Sequence, residues 1–118
     1  MRTIIAGPRH LTDPWLLDAA LKACPWTGEI TSVVCGMARG IDSLGKMWAD
    51  YHKIPVDEHP VTKADWDTFG RAAGHLRNAE MVNVADAVLA VWDGKSKGTG
   101  GMIRLAKRMK LRLFVHML

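Results

Sequence analysis

Ala87-Val88-Leu89-Ala90-Val91-Trp92-Asp93-Gly94-Lys95-Ser96-Lys97-Gly98-Thr99-Gly100-Gly101 carries the main architectural signal of this 118-residue chain. Six unbroken apolar residues read as a strand covered on both faces, the pattern of a parallel sheet. The run stops at a loop with four glycines, two hydroxyls and two lysines, and Met102 to Met109 then reads as a helix. Strand, glycine-rich loop and helix together make half of a βαβ unit.

The same alternation extends in both directions. Thr3-Ile4-Ile5-Ala6 is a short strand ended by Gly7-Pro8. Asp13-Pro14 opens a helix, with Asp13 as cap and Pro14 in its first turn. Its stripe is Leu17, Ala20, Leu21 and Cys24, and Pro25 stops it. Ser32-Val33-Val34-Cys35 is a second strand, and a helix follows from about Asp42, with Ile41, Leu44, Trp48 and Tyr51 on one face. Ile54-Pro55-Val56 begins a third strand, Pro60 to Gly74 reads as a functional loop or short extra turn, Leu76 to Ala85 as a helix and Leu113-Phe114-Val115 as the last strand. Five strands alternating with four helices imply right-handed crossovers and a Rossmann-like α/β three-layer sandwich. The expected strand order of the parallel sheet is 3-2-1-4-5.

Composition sets the outer bounds. At 48% hydrophobic and 24% charged, the sequence is too apolar for a disordered chain. Its length suits one domain spanning residues 1–118. No apolar run approaches the roughly 18 residues of a membrane span. Met1-Arg2-Thr3 runs too soon into strand and turn for a secretory signal, so a soluble cytoplasmic protein with no membrane partner is expected. Cys24 and Cys35 lack zinc-site spacing and are expected reduced and buried. The five histidines show no helical pairing, so neither a metal nor a cofactor is expected. Net charge is +4, but Lys95 to Leu118 holds seven basic residues and no acid, while the first 94 residues sum to −3. Such a local field suits an anionic partner, although Arg104, Lys107 and Arg108 read as the solvated end of a helix.

In an open parallel sheet, ligands bind beyond the carboxyl ends of the strands where strand order reverses. That directs attention to the loops after strands 1, 2 and 4. The first carries Gly7 and Arg9, a close-approach position and a planar donor fork. The second, Gly36-Met37-Ala38-Arg39-Gly40-Ile41-Asp42, places small residues at a helix start that attracts anions. Asp42 there suits a helix cap or a ribose hydroxyl. The third supplies Asp93, Gly94, Ser96, Gly98 and Thr99 as a phosphate cradle. It lacks Walker A spacing, which disfavours a kinase or NTPase. Upstream, Gly70-Arg71-Ala72-Ala73-Gly74-His75-Leu76-Arg77-Asn78 adds Arg71 as a ligand-binding candidate, Arg77 for phosphate and Asn78 for base or ribose. Trp66 and Trp92 are candidate base-stacking rings.

Gly7-x-Arg9, Gly36-x-Ala38-Arg39-Gly40-x-Asp42, Trp48-Ala49, Gly70-Arg71-Ala72-Ala73-Gly74, Arg77-Asn78-x-x-Met81 and Asp93-Gly94-x-Ser96-x-Gly98-Thr99 resemble the YspA/YpsA-related branch of the SLOG superfamily. The resemblance implies a Rossmann-like domain binding nucleotides or nucleotide-derived ligands, and a bacterial or phage setting. It places Gly7, Arg9, Gly36, Arg39, Gly40 and Asp42 around the ligand, with Ser96, Gly98 and Thr99 on its phosphate. Arg77 matches the arginine that LOG-type phosphoribohydrolases hold near the reacting sugar. The glutamate those enzymes carry just after the glycine loop is absent, Gly101 and Met102 standing there. The expected function is therefore binding of a nucleotide-type small ligand, as a sensor or sequestering module. The alternatives are N-glycosidic hydrolysis using Arg77 with Asp42 or Asp93, and single-stranded nucleic-acid binding, since the second loop also looks like DNA-processing protein A. The resemblance also admits a homodimer.

Overall fold

A computed structural model describes residues 1–118. Five strands, β1 (Arg2–Ala6), β2 (Ser32–Cys35), β3 (Val56–Glu58), β4 (Ala87–Trp92) and β5 (Arg112–Met117), form one sheet in the order β3-β2-β1-β4-β5. Every pairing is parallel, as the unbroken apolar runs predict. β1 pairs with both β2 and β4, so strand order reverses between β1 and β4.

Helices α1 (Pro14–Ala23) and α2 (Ile41–Tyr51) cover one face of the sheet, meeting Ile5, Val33, Leu89 and Val91. Helices α4 (Ala72–Val84) and α5 (Lys97–Arg108) cover the other, where Met81, Val82, Met102 and Ile103 meet Ile4, Val34, Val88 and Ala90. Residues alternate between the two cores along each strand because successive side chains point to opposite faces. The result is the three-layer α/β sandwich. No helix is long and apolar enough to cross a membrane. Cys24 and Cys35 are both free thiols in the interior.

Several boundaries depart from the sequence expectation. The segment read as a loop or short extra turn contains a fifth helix, α3 (Lys63–Phe69), closed by a reciprocal capping box between Thr62 and Asp65. Its polar composition hides it, since none of its residues is buried and no apolar stripe announces it. Helix α4 starts at Ala72 rather than Leu76, and α5 at Lys97 rather than Met102. Gly98, Gly100 and Gly101 are thus helical residues, and Gly100 leaves room for the Trp92 ring, which an added Cβ would meet at 3.1 Å. β3 begins at Val56 instead of Ile54, and β5 extends to both sides of the expected triplet. On α2 the buried line is Ile41, Gly45 and Ala49, whereas Tyr51 is 84% exposed. Small residues bring α2 so close to β1 that a Cβ at Gly45 would meet Ile5 at 2.9 Å, while Leu44 and Trp48 pack half-buried at the edge of this core.

Candidate ligand-binding cleft

A cleft of about 510 Å³ opens beside the β1/β4 switch point. Of the residues singled out from sequence, Gly7, Arg9, Ala38, Asp42, Arg71, Arg77, Asn78, Ser96, Gly98 and Thr99 line it. Gly36, Arg39, Gly40, Asp93 and Gly94 do not. His10, His75 and Lys97 complete its polar wall. Lys97, one of the two lysines of the glycine-rich loop but not among the ligand residues named from sequence, is the first residue of α5 and lies at the cleft.

The loop after β4 is a self-contained turn. Asp93 Oδ1 accepts from the amides of Lys95 (2.9 Å) and Ser96 (2.8 Å), and the Ser96 hydroxyl donates to Oδ2 at 3.0 Å. These donors hold its carboxyl down to about 2, with the Ser96 amide contributing most. Gly94 takes the left-handed conformation (φ +78°) that this turn requires. Asp93 therefore builds the loop, and its Oδ2 stands 3.7 Å from Nε2 of the cleft residue His10. Ser96 is the extended N-cap of α5, and no side chain caps the helix. The amides of Lys97, Gly98 and Thr99, lacking intrahelical acceptors, form an open donor set at the positive end of the dipole. Thr99 is only 5% exposed and lines the cleft, so it is not the surface residue its glycine-rich surroundings suggest.

The loop after β2 behaves differently. Pro8 O accepts from the first amide of α2, that of Ile41, at 3.5 Å, and Asp42 places a carboxylate in the first turn. This helix start is occupied by the protein itself and is no anion site. A Cβ at Gly40 (φ +75°) would strike the carbonyl oxygens of Pro8 and Arg9. One at Gly7 would strike the Ile41 side chain at 2.5 Å. These glycines let two loops of the protein meet, where the sequence suggested a ligand's approach. Gly36 makes room for Arg77, whose guanidinium a Cβ would meet at 2.7 Å. Arg39 is exposed and does not line the cleft.

Asp42 forms part of the cleft wall. It is 7% exposed and accepts from the Ala38 amide at 3.4 Å, a long bond. Burial pushes its carboxyl up to about 6; Arg77 opposes this most, then the Ala38 amide, Arg9 and the Gly7 amide. Arg77 Nη1 donates to Gly36 O at 2.6 Å and its Nε to Asn78 Oδ1 at 3.1 Å. That fixes the guanidinium between β2 and α4 and leaves the Asn78 amide group available to the cleft. With Arg9, Arg71 and Lys97, the cleft holds four permanent cations against one carboxylate. Neither Trp66 nor Trp92 lines it. Trp92 packs on Gly100 and donates from Nε1 to Ser96 O at 3.0 Å, steadying the loop.

Comparison with known proteins yields a phage relative. The chain is 39% identical over 82 residues to the Gene 61 protein of Mycobacterium phage D29. The match covers 64% of this chain and 63% of that protein. No protein-family model and no solved structure matches the sequence.

Proposed function

We propose that the cleft binds a nucleotide or nucleotide-derived small ligand, as a sensor or sequestering module, with its phosphate on the N-terminus of α5. The observation that carries this reading is the convergence of an uncapped helix start and four cations on one cleft with a single acid. Helix N-termini of this kind accept phosphate through backbone N–H groups and the dipole. Asp42 and Asn78 offer a carboxylate acceptor and an amide donor for the hydroxyl-bearing part of the ligand. The motif resemblance to the SLOG superfamily leads to the same ligand class.

Equilibrium binding to nucleoside monophosphates, NAD and ADP-ribose tests the proposal. Saturable binding is expected, and Lys97→Ala and Thr99→Val should each weaken it about tenfold, the scale of one charge-assisted or buried hydrogen bond. Lys107→Ala with Arg108→Ala, in the exposed last turn of α5, should leave affinity within about twofold. Equal losses from both sets would misplace the phosphate.

A second reading is favoured by one observation, the Asp42 carboxyl buried in the cleft wall beside Arg77, where burial raises its pKa to about 6. Such a group suits general acid–base work in hydrolysing an N-glycosidic bond, water replacing the base at the anomeric carbon. Free base and ribose 5-phosphate accumulating from a monophosphate, and falling at least about a hundredfold in Asp42→Asn, would establish it. Unchanged ligand after prolonged incubation would leave binding alone.

A further inference from the structure

Resting on the nucleotide reading, we propose that α3 is a lid that closes over the cleft and lays Trp66 and Phe69 against the base. The cleft as it stands grips an anion and hydroxyls but offers a base no ring except the imidazoles of His10 and His75. Two aromatic side chains are carried by α3, which packs on α4 and ends one residue before Gly70 and the cleft residue Arg71. Trp66 is 42% and Phe69 49% exposed, three residues apart on one side of α3. Every residue from 61 to 72 is exposed or half-buried, so nothing in either core anchors this stretch.

The segment is nonetheless preformed. The Thr62–Asp65 box holds its helical start, with Thr62 N donating to Asp65 Oδ2 at 3.0 Å and Asp65 N to Thr62 Oγ1 at 3.1 Å. It moves as a unit, so closing it requires no folding step and little entropy. Gly70 ends it at φ +56°, in open space where no neighbour would touch even an added Cβ. The next residue, Arg71, already lines the cleft, as does Gly74. A turn at Gly70 therefore swings α3 about a point on the cleft rim, and Trp66 lies four residues from that hinge, about 6 Å at helical rise. Pro60 stands at the other end of the segment. Hinges of this kind are a few terminal residues that absorb a backbone change.

The test compares AMP, GMP, CMP and UMP with ribose 5-phosphate, which keeps phosphate and hydroxyls but has no base. Trp66→Ala should weaken the nucleotides roughly tenfold, the scale of one base–aromatic stack, and leave ribose 5-phosphate unchanged. Trp66→Phe should restore most of the loss. Amide exchange in residues 61–71 should slow with AMP and stay fast with ribose 5-phosphate. Nucleotide binding indifferent to Trp66→Ala, with exchange unaltered, overturns the lid and leaves the nucleotide reading intact. Equal losses for nucleotide and ribose 5-phosphate overturn the base contact. Failure of every probe to bind the unmodified protein overturns both proposals. Because Trp66 reaches neither core, an unchanged melting temperature is expected of the variants.

Discussion

Gly40→Ala should lower the thermal unfolding midpoint by about 10 °C or more, reflecting at least about 3 kcal/mol of lost stability. Two penalties coincide at this position. A left-handed backbone with a Cβ costs about 1–3 kcal/mol, and the φ here is +75°. The new methyl also points into the carbonyls of Pro8 and Arg9, which are main chain and have no rotamer to yield. Relief requires the two loops to part, releasing the Ile41 N–H···O Pro8 bond and displacing Arg9 from the cleft. Gly98→Ala supplies the contrast. It is a helical position with nothing within 4 Å of an added Cβ, so the same exchange should stabilise by up to about 1 kcal/mol. Paired melting curves read the difference.

Asp42→Asn should make the ligand-free protein more stable at pH 7, by an amount that shrinks on acidification. The folded carboxyl titrates near 6 against 3.8 as its reference. A raised carboxylate binds its proton more readily folded than unfolded, so its charge destabilises the fold above pH 6. That burden lifts as pH falls from about 6 to 4. The gap of about two pH units corresponds to about 3 kcal/mol. Asparagine keeps an acceptor for the Ala38 amide and carries no charge, so the variant should gain on the order of 1–3 kcal/mol at pH 7 and almost nothing at pH 4. Asp65, Asp86 and Asp93 carry lowered pKa values, and their contributions are lost only below about pH 4, outside this window. Denaturant unfolding of both proteins across pH 4–7 measures the effect. A carboxylate held at the expense of stability in a cleft is the arrangement expected of a group that acts on a ligand.

The strand order was legible because β1, β2 and β4 are short apolar runs bounded by glycine or aspartate, and parallel crossovers have one hand. The loops after β1, β2 and β4 do converge, as that order predicts. What stayed hidden has local causes. Helix α3 is held by its capping box and buries no residue, so it leaves no apolar period. The start of α5 is masked by three glycines, which read as loop until Trp92 is seen packed against one of them. Glycine in a sequence reports that something approaches closely, without saying what. At Gly36, Gly40 and Gly7 the visitor is Arg77, the neighbouring loop and Ile41. The part Asp93 plays in building its own loop was hidden because its partners are the amides of the next residues, which a sequence does not display.

β1 is hydrogen-bonded to β4 with Thr3 opposite Ala87, so during synthesis β1 waits for more than about 80 further residues before its second edge is filled. At bacterial synthesis rates of about 5–20 residues per second, that interval lasts seconds. β1 to β3 with α1 and α2 make one half of the molecule, while the donors of α5 arrive last. A nascent chain arrested before residue 87 already holds α1, α2 and α4 but lacks both the central strand β4 and the open amides at the start of α5.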